Sequence, residues 1–155
     1  MPTIAELLGG NDPSDRLHPG LAFWLKGNPP FHSEKEHCFF MLAVNSEGYF
    51  LMVNATTKVE KTQTVVKARF SEFVEDTSST LVVVEKGGFP LLSRRSVINC
   101  NELHAVKKAD IDRAHTRFID HSPHEELFKS IALAVKNSPN VSEDDKNTIC
   151  AEWGI

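Results

Sequence analysis

The sequence predicts an α+β fold in a single domain: a small β-barrel up to about Val106, capped by C-terminal helices. Three observations carry this. As far as Val106 the apolar residues fall in short runs separated by Gly, Pro, Asn and Ser, the pattern of short strands and turns. From Asp110 onward the apolar period turns helical. Strands and helices are therefore segregated along the chain rather than alternating, which favours α+β over a parallel sheet. The 155 residues, 41% of them hydrophobic, suit one ordinary globular domain.

The centre of the pattern is residues 36–58. Two apolar runs, 38–44 and 49–53, flank Asn45-Ser46-Glu47-Gly48 and read as a β-hairpin. Both runs are nearly continuous, so the hairpin is expected to be covered on both faces. His37 opens it, and Thr56 and Thr57 close it. Antiparallel pairing brings those ends together, so His37 is expected beside the threonines.

In chain order, Thr3 and Glu6 can form a capping box for a short helical turn, which 9–14 then breaks. Residues 1–16 thus read as an N-terminal arm. Leu21, Ala22, Phe23, Trp24 and Leu25 form a first strand, and Pro29-Pro30 makes 27–35 a loop. Over 59–74 neither period wins, and strand and helix both stay open. Residues 80–85 read as a strand, Gly87-Gly88 as a turn, 89–92 as the returning chain, and 96–101 as another strand that 103–106 extends or follows.

Ile111, Ala114, His115, Phe118 and Ile119 then lie on one helical stripe. Ser122, Pro123 and Glu125 supply the N-cap, first-turn proline and capping-box partner of a second helix, with Leu127, Phe128, Ile131, Ala132 and Val135 on its buried face. Ser142 and the acids at 143–145 start a last helix, docked by Ile149, Cys150 and Trp153. The division is an arm at 1–16, a barrel at 17–109, and a helical segment of the same domain at 110–155.

A net charge of −4 and a pI of about 6.0 argue against a basic, sequence-blind nucleic-acid binder, while leaving room for a local basic groove. Cys38, Cys100 and Cys150 form no C-x-x-C pair and read as reduced thiols of a cytoplasmic protein, mostly buried. The N-terminus has no basic region followed by an apolar core, so no signal peptide is expected. No apolar run approaches membrane-spanning length. Of the seven histidines, His121 and His124 are three apart but have no partnering cluster. Neither a metal nor a cofactor is expected.

Several segments, taken in order, resemble the MazF/PemK (Kid-type) growth-inhibitor toxins over roughly 17–119. Pro19-Gly20-Leu21-Ala22-Phe23-Trp24 is similar to the family's opening strand. His37-Cys38-Phe39-Phe40-Met41 fills the slot of its Arg-Pro-Val-Val-Val strand, and Val53-Asn54-Ala55-Thr56-Thr57 that of its Val-Pro-Ile-Thr-Ser stretch. Gly88-Phe89-Pro90-Leu91 and Ser96-Val97-Ile98-Asn99-Cys100-Asn101-Glu102 resemble later steps. His37 stands where the family has arginine, Asn101 where it has an acid, and Asn99 where it has a basic residue.

The resemblance implies an SH3-like barrel followed by C-terminal helices, a homodimer, and an antitoxin partner. It also implies metal-independent cleavage of single-stranded RNA by attack of the ribose 2′-hydroxyl. Such a step needs a base, an acid and donors to the phosphorane. His37 is the candidate acid or base, Thr56 a donor to phosphate, and Arg94 a phosphate-stabilising cation. Arg95, Asn99, Asn101 and Thr57 are candidate RNA contacts. Each also has an ordinary reading: strand-end residues for His37, Thr56 and Thr57, a solvated turn for the arginines, an exposed edge-strand face for the asparagines. The competing function is a catalytically inert relative that binds RNA or protein.

Overall fold

The structure, a computed structural model, describes residues 17–26, 36–113, 115–120 and 124–155. The strands are β1 (Ala22–Lys26), β2 (His37–Val44), β3 (Phe50–Thr56), β4 (Leu81–Val84), β5 (Ser96–Asn99), β6 (His104–Val106) and β7 (His115–Asp120). The α-helices are α1 (Val59–Phe70), α2 (Lys108–Arg113), α3 (Glu125–Asn137) and α4 (Glu143–Trp153). The expected arm, the 27–35 loop and the Ser122–Pro123 helix start lie outside the described residues.

All strands join one antiparallel sheet in the order β4-β5-β3-β2-β1-β7. The outer edge of β3 is shared. Ala55 and Thr56 pair with Ile98 and Val97 of β5, while Phe50, Leu51 and Met52 pair with Val106, Ala105 and His104 of β6. The α+β class is as expected, but these strands do not close into a barrel: β4 and β7 end the sheet. Closure is not needed to bury the apolar residues, because each face has its own core. On one face Cys38, Phe40, Leu51 and Val53 meet Phe128, Ile131, Ala132 and Val135 of α3 and Ile149 of α4. On the other, Phe39, Met41, Phe50 and Met52 pack with Phe23, Leu25, Val106 and Ile111. This two-sided burial explains the nearly continuous apolar runs.

The hairpin turn is built by Asn45, whose Oδ1 accepts the N–H groups of Glu47 (3.0 Å) and Tyr49 (2.9 Å), and by Gly48 at φ +82°. A register shift between Met41 and Ala43 inserts Leu42, so that Leu42 and Ala43 both join the helix-side core. The Leu42 carbonyl accepts the Trp153 indole N–H at 2.8 Å, which ties α4 to the bulge. The same ring stacks on Phe128, with centroids 5.1 Å apart.

Two segments needed tertiary information. Residues 59–70, open between strand and helix, form α1, which buries only Val59, Val66 and Phe70. The expected 110–119 helix is real only at its start: α2 ends at Arg113, and 115–120 is strand β7. There the chain pairs with the edge of β1, Ile119 opposite Phe23 and Thr116 opposite Leu25. Thr, Phe and Ile suit such a ladder, and pairing overrides the helical stripe. The last helix starts as expected, Ser142 Oγ accepting the Asp145 N–H at 3.2 Å. Among the described residues, no helix is long and apolar enough to cross a membrane.

Candidate functional site

Cys38 lies opposite Ala55, which carries His37 to the level of Thr56 at the open end of the hairpin. Strand alternation puts Phe50, Met52, Asn54 and Thr56 on one face of β3, and His37, Phe39 and Met41 on the same face of β2. That face is apolar in its middle and turns polar at this end. Asn99 arrives from β5, and Glu102 from the turn between β5 and β6, where the two strands divide the β3 edge. The start of α1 supplies the remaining wall through Lys58, Lys61, Thr62 and Val65. Together these residues line a cavity of about 290 Å³.

The hydrogen bonds around the cavity decide what it can offer a ligand. Asn99 Oδ1 accepts both the N–H (3.1 Å) and the Nδ2 (3.0 Å) of Asn101, so its own NH₂ is the group left for the cavity. Asn54 Oδ1 is engaged by His104 Nε2 at 3.1 Å, which leaves its NH₂ in the same position. Thr56 Oγ1 accepts the Lys58 N–H at 3.3 Å and keeps its O–H to donate. Lys58 and Lys61 add ammonium groups. Lys58 is also the N-cap residue of α1 and makes no side-chain cap, so the positive end of the helix dipole meets the cavity without a capping side chain. Donors and cations thus dominate the walls, and the Glu102 carboxylate stands among them. This is a setting for an anion beside one imidazole and one carboxylate.

His104 lies behind Asn54 and edge-on to Phe39, with centroids 5.7 Å apart. Burial holds its pKa below the usual imidazole value; the Glu102 carboxylate pulls it up, and the His37 charge pushes it down. A neutral His104 with Nε2–H donating fixes the orientation of the Asn54 amide. The unfolded chain takes up this proton at higher pH than the folded one. Stability therefore rises with pH through the window that ends near the ordinary histidine pKa of about 6.5. A His104→Asn variant should flatten that window in pH-dependent denaturation; an unchanged slope would contradict a buried, neutral His104.

His37, Thr56 and Asn99 thus line the cavity, and the exposed Thr57 lies with His37 and Thr56 along a neighbouring groove; the other expected site residues line neither. Arg95 Nε donates to Glu85 at 3.0 Å, and its Nη1 lies 3.6 Å from Glu60; these exposed pairs hold it away from the cavity only weakly. Arg94 is exposed, and neither arginine is among the cavity's lining residues. Asn101 is corrected most sharply. It is 1% exposed and cannot reach a base edge. Its Nδ2 donates to Thr80 Oγ1 (2.8 Å), its Oδ1 accepts Ser138 Oγ (2.6 Å), and its carbonyl accepts Asn140 Nδ2 (2.9 Å). It fastens the end of α3 to the β5–β6 turn. Asn101→Ala would strand buried Thr80 and Ser138 groups, at about 1–3 kcal/mol each. Chemical denaturation should show a loss on the order of 2–4 kcal/mol, and a loss under about 0.5 kcal/mol would refute the fastening role.

Sequence reasoning missed Asn54, Lys58, Lys61, Glu102 and His104. Asn54 was within reach, two residues from Thr56 on the same face. The three cysteines are unbridged; Cys38 and Cys100 are buried, and burial pushes the Cys100 thiol pKa up, away from reactivity. Among the described residues, no cluster of three or more His, Cys, Asp or Glu could hold a metal ion. No protein-family model matches the chain, and no curated protein does either.

Proposed function

We propose that the cavity binds the phosphodiester backbone of single-stranded RNA and cleaves it without metal. The observation that carries this is the donor set: Thr56, Asn54, Asn99, Lys58 and Lys61 around one histidine and one carboxylate. In this reading Glu102 takes the proton of the ribose 2′-hydroxyl as its oxygen bonds to phosphorus. His37 protonates the departing 5′-oxygen as the P–O5′ bond breaks, which leaves a 2′,3′-cyclic phosphate. The lysines and amide NH₂ groups stabilise the charge on the phosphorane. His104 is a positioning residue acting through Asn54. The MazF/PemK resemblance supports the same chemistry, with Lys58 and Lys61 in place of Arg94, and with it come the proposals of an antitoxin and of a second copy as partners.

Incubation of the pure protein with single-stranded RNA in EDTA tests this, with cyclic-phosphate ends as the expected product. The second reading, an inert relative that binds RNA or protein, is favoured by neither arginine being among the cavity's lining residues. RNA binding without cleavage by the wild type would select it.

A further inference from the structure

The Asn99 amide is one of the donors at the polar cavity, and its orientation has a cause deeper in the fold. A backbone N–H can only donate, so the Asn101 N–H at 3.1 Å fixes the Asn99 oxygen on the protein side and leaves the NH₂ for the cavity. The Asn101 side chain reinforces this, its Nδ2 donating to the same oxygen at 3.0 Å. That side chain is itself oriented from behind. Thr80 spends its O–H on the Thr77 carbonyl at 2.8 Å, so it can only accept from Asn101 Nδ2, also at 2.8 Å. Ser138 Oγ receives the Asn140 N–H at 3.1 Å and donates its own proton to Asn101 Oδ1 at 2.6 Å. Turning the Asn101 amide over would set its oxygen against the Thr80 and Asn99 oxygens. Thr80, Asn101 and Ser138 are all buried, where an unpaired polar group is costly, so the network has one stable polarity.

We propose that Asn101 is a positioning residue of the cavity: by locking the Asn99 amide it presents a donor, and not an acceptor, to the ligand. The inference rests on the phosphodiester reading of the cavity and adds to it a buried residue that touches no ligand. A loose Asn99 would offer its oxygen as readily as its NH₂, and the oxygen repels a phosphate. A locked one is already arranged when the anion arrives, so binding carries no cost of ordering it. The same network ties the cavity to the end of α3, because Ser138 and Asn140, which follow that helix, hold Asn101.

The test uses the full-length protein and an uncleavable probe, a 2′-O-methyl oligoribonucleotide. In nitrogen-15 relaxation of the wild type without probe, the Asn99 NH₂ is assigned by its loss in Asn99→Asp. Its order parameter should lie near the rigid-backbone value of about 0.85, and a value in the flexible range below about 0.6 overturns the positioning role. Two variants are then compared in binding. Asn101→Ala removes the Nδ2 donor to Asn99 and should weaken the probe about 2- to 10-fold, the worth of one hydrogen bond. Thr80→Val loosens the same buried network, keeps the Asn101–Asn99 bond, and should bind as the wild type does. A merely structural Asn101 makes no such distinction. Equal affinity in the two variants therefore overturns the proposal and leaves the phosphodiester reading standing. If Asn101→Ala fails to fold, the order parameter decides alone. If the wild type does not bind the probe, both fall.

Discussion

In the proposed RNA-cleaving reaction, with His37 as the general acid, His37→Ala should lower the rate by about 10²- to 10⁴-fold with little change in stability. The two effects separate because His37 is only partly buried at a strand end, while the cores lie further along β2. Glu102→Gln should cost a comparable factor, since it removes the base and keeps the size of the side chain. The two losses should not multiply in the double variant, because acid and base serve one displacement. A carboxylate base and an imidazolium acid give a bell-shaped pH dependence. Glu102→Gln should remove its acidic limb, and His37→Ala its alkaline limb. His104→Asn behaves differently: as a positioning residue acting through Asn54, it should lower the rate while preserving both limbs. Single-turnover cleavage of a labelled RNA in EDTA, across pH, measures all of this. Wild-type rates in His37→Ala would remove the histidine from the chemistry. A bell that survives in Glu102→Gln would place the base elsewhere.

The half of this site that was legible in the sequence is the half set by local rules. The Asn45-Ser46-Glu47-Gly48 turn flanked by apolar runs fixes the hairpin, and the hairpin brings His37 to Thr56. Asn99 and Asn101 were named through the family resemblance, and strand alternation supplied their ordinary reading as one exposed edge-strand face, which misplaced Asn101. Alternation holds only while the strand lasts; β5 ends at Asn99 and the chain turns, so Asn101 points into the core instead of sharing the face of Asn99. Lys58 and Lys61 were hidden because α1 buries few residues and leaves no clear period. Glu102 and His104 depend on β5 and β6 dividing one edge of β3, a long-range pairing with no local signature. The 115–120 segment follows the same logic: its helical stripe was genuine as a pattern, but the free edge of β1 outweighed it.

The second large effect concerns what holds the site's scaffold together. Phe128→Ala should destabilise the protein by about 3–5 kcal/mol, the range for deleting a buried phenyl ring. Phe128 is 0% exposed and bridges the sheet and the last helix: its ring meets Phe40 of β2 at 5.8 Å, edge-on, and stacks on Trp153 of α4 at 5.1 Å. Truncation would leave a cavity between the sheet and both helices, and Trp153 would lose the ring that supports its bond to the bulge carbonyl of Leu42. Against a typical total of roughly 5–15 kcal/mol, such a loss would leave a substantial unfolded population at physiological temperature. Leu133→Ala on the same helix is the control. Leu133 is 50% exposed, and its loss should cost no more than about 0.5 kcal/mol. Urea denaturation should show a lower midpoint for Phe128→Ala with an unchanged slope, because the same surface is exposed on unfolding. A cost equal to that of Leu133→Ala would mean that α3 is not anchored through this ring. A changed slope would mean that the C-terminal helices come away from the sheet before it unfolds.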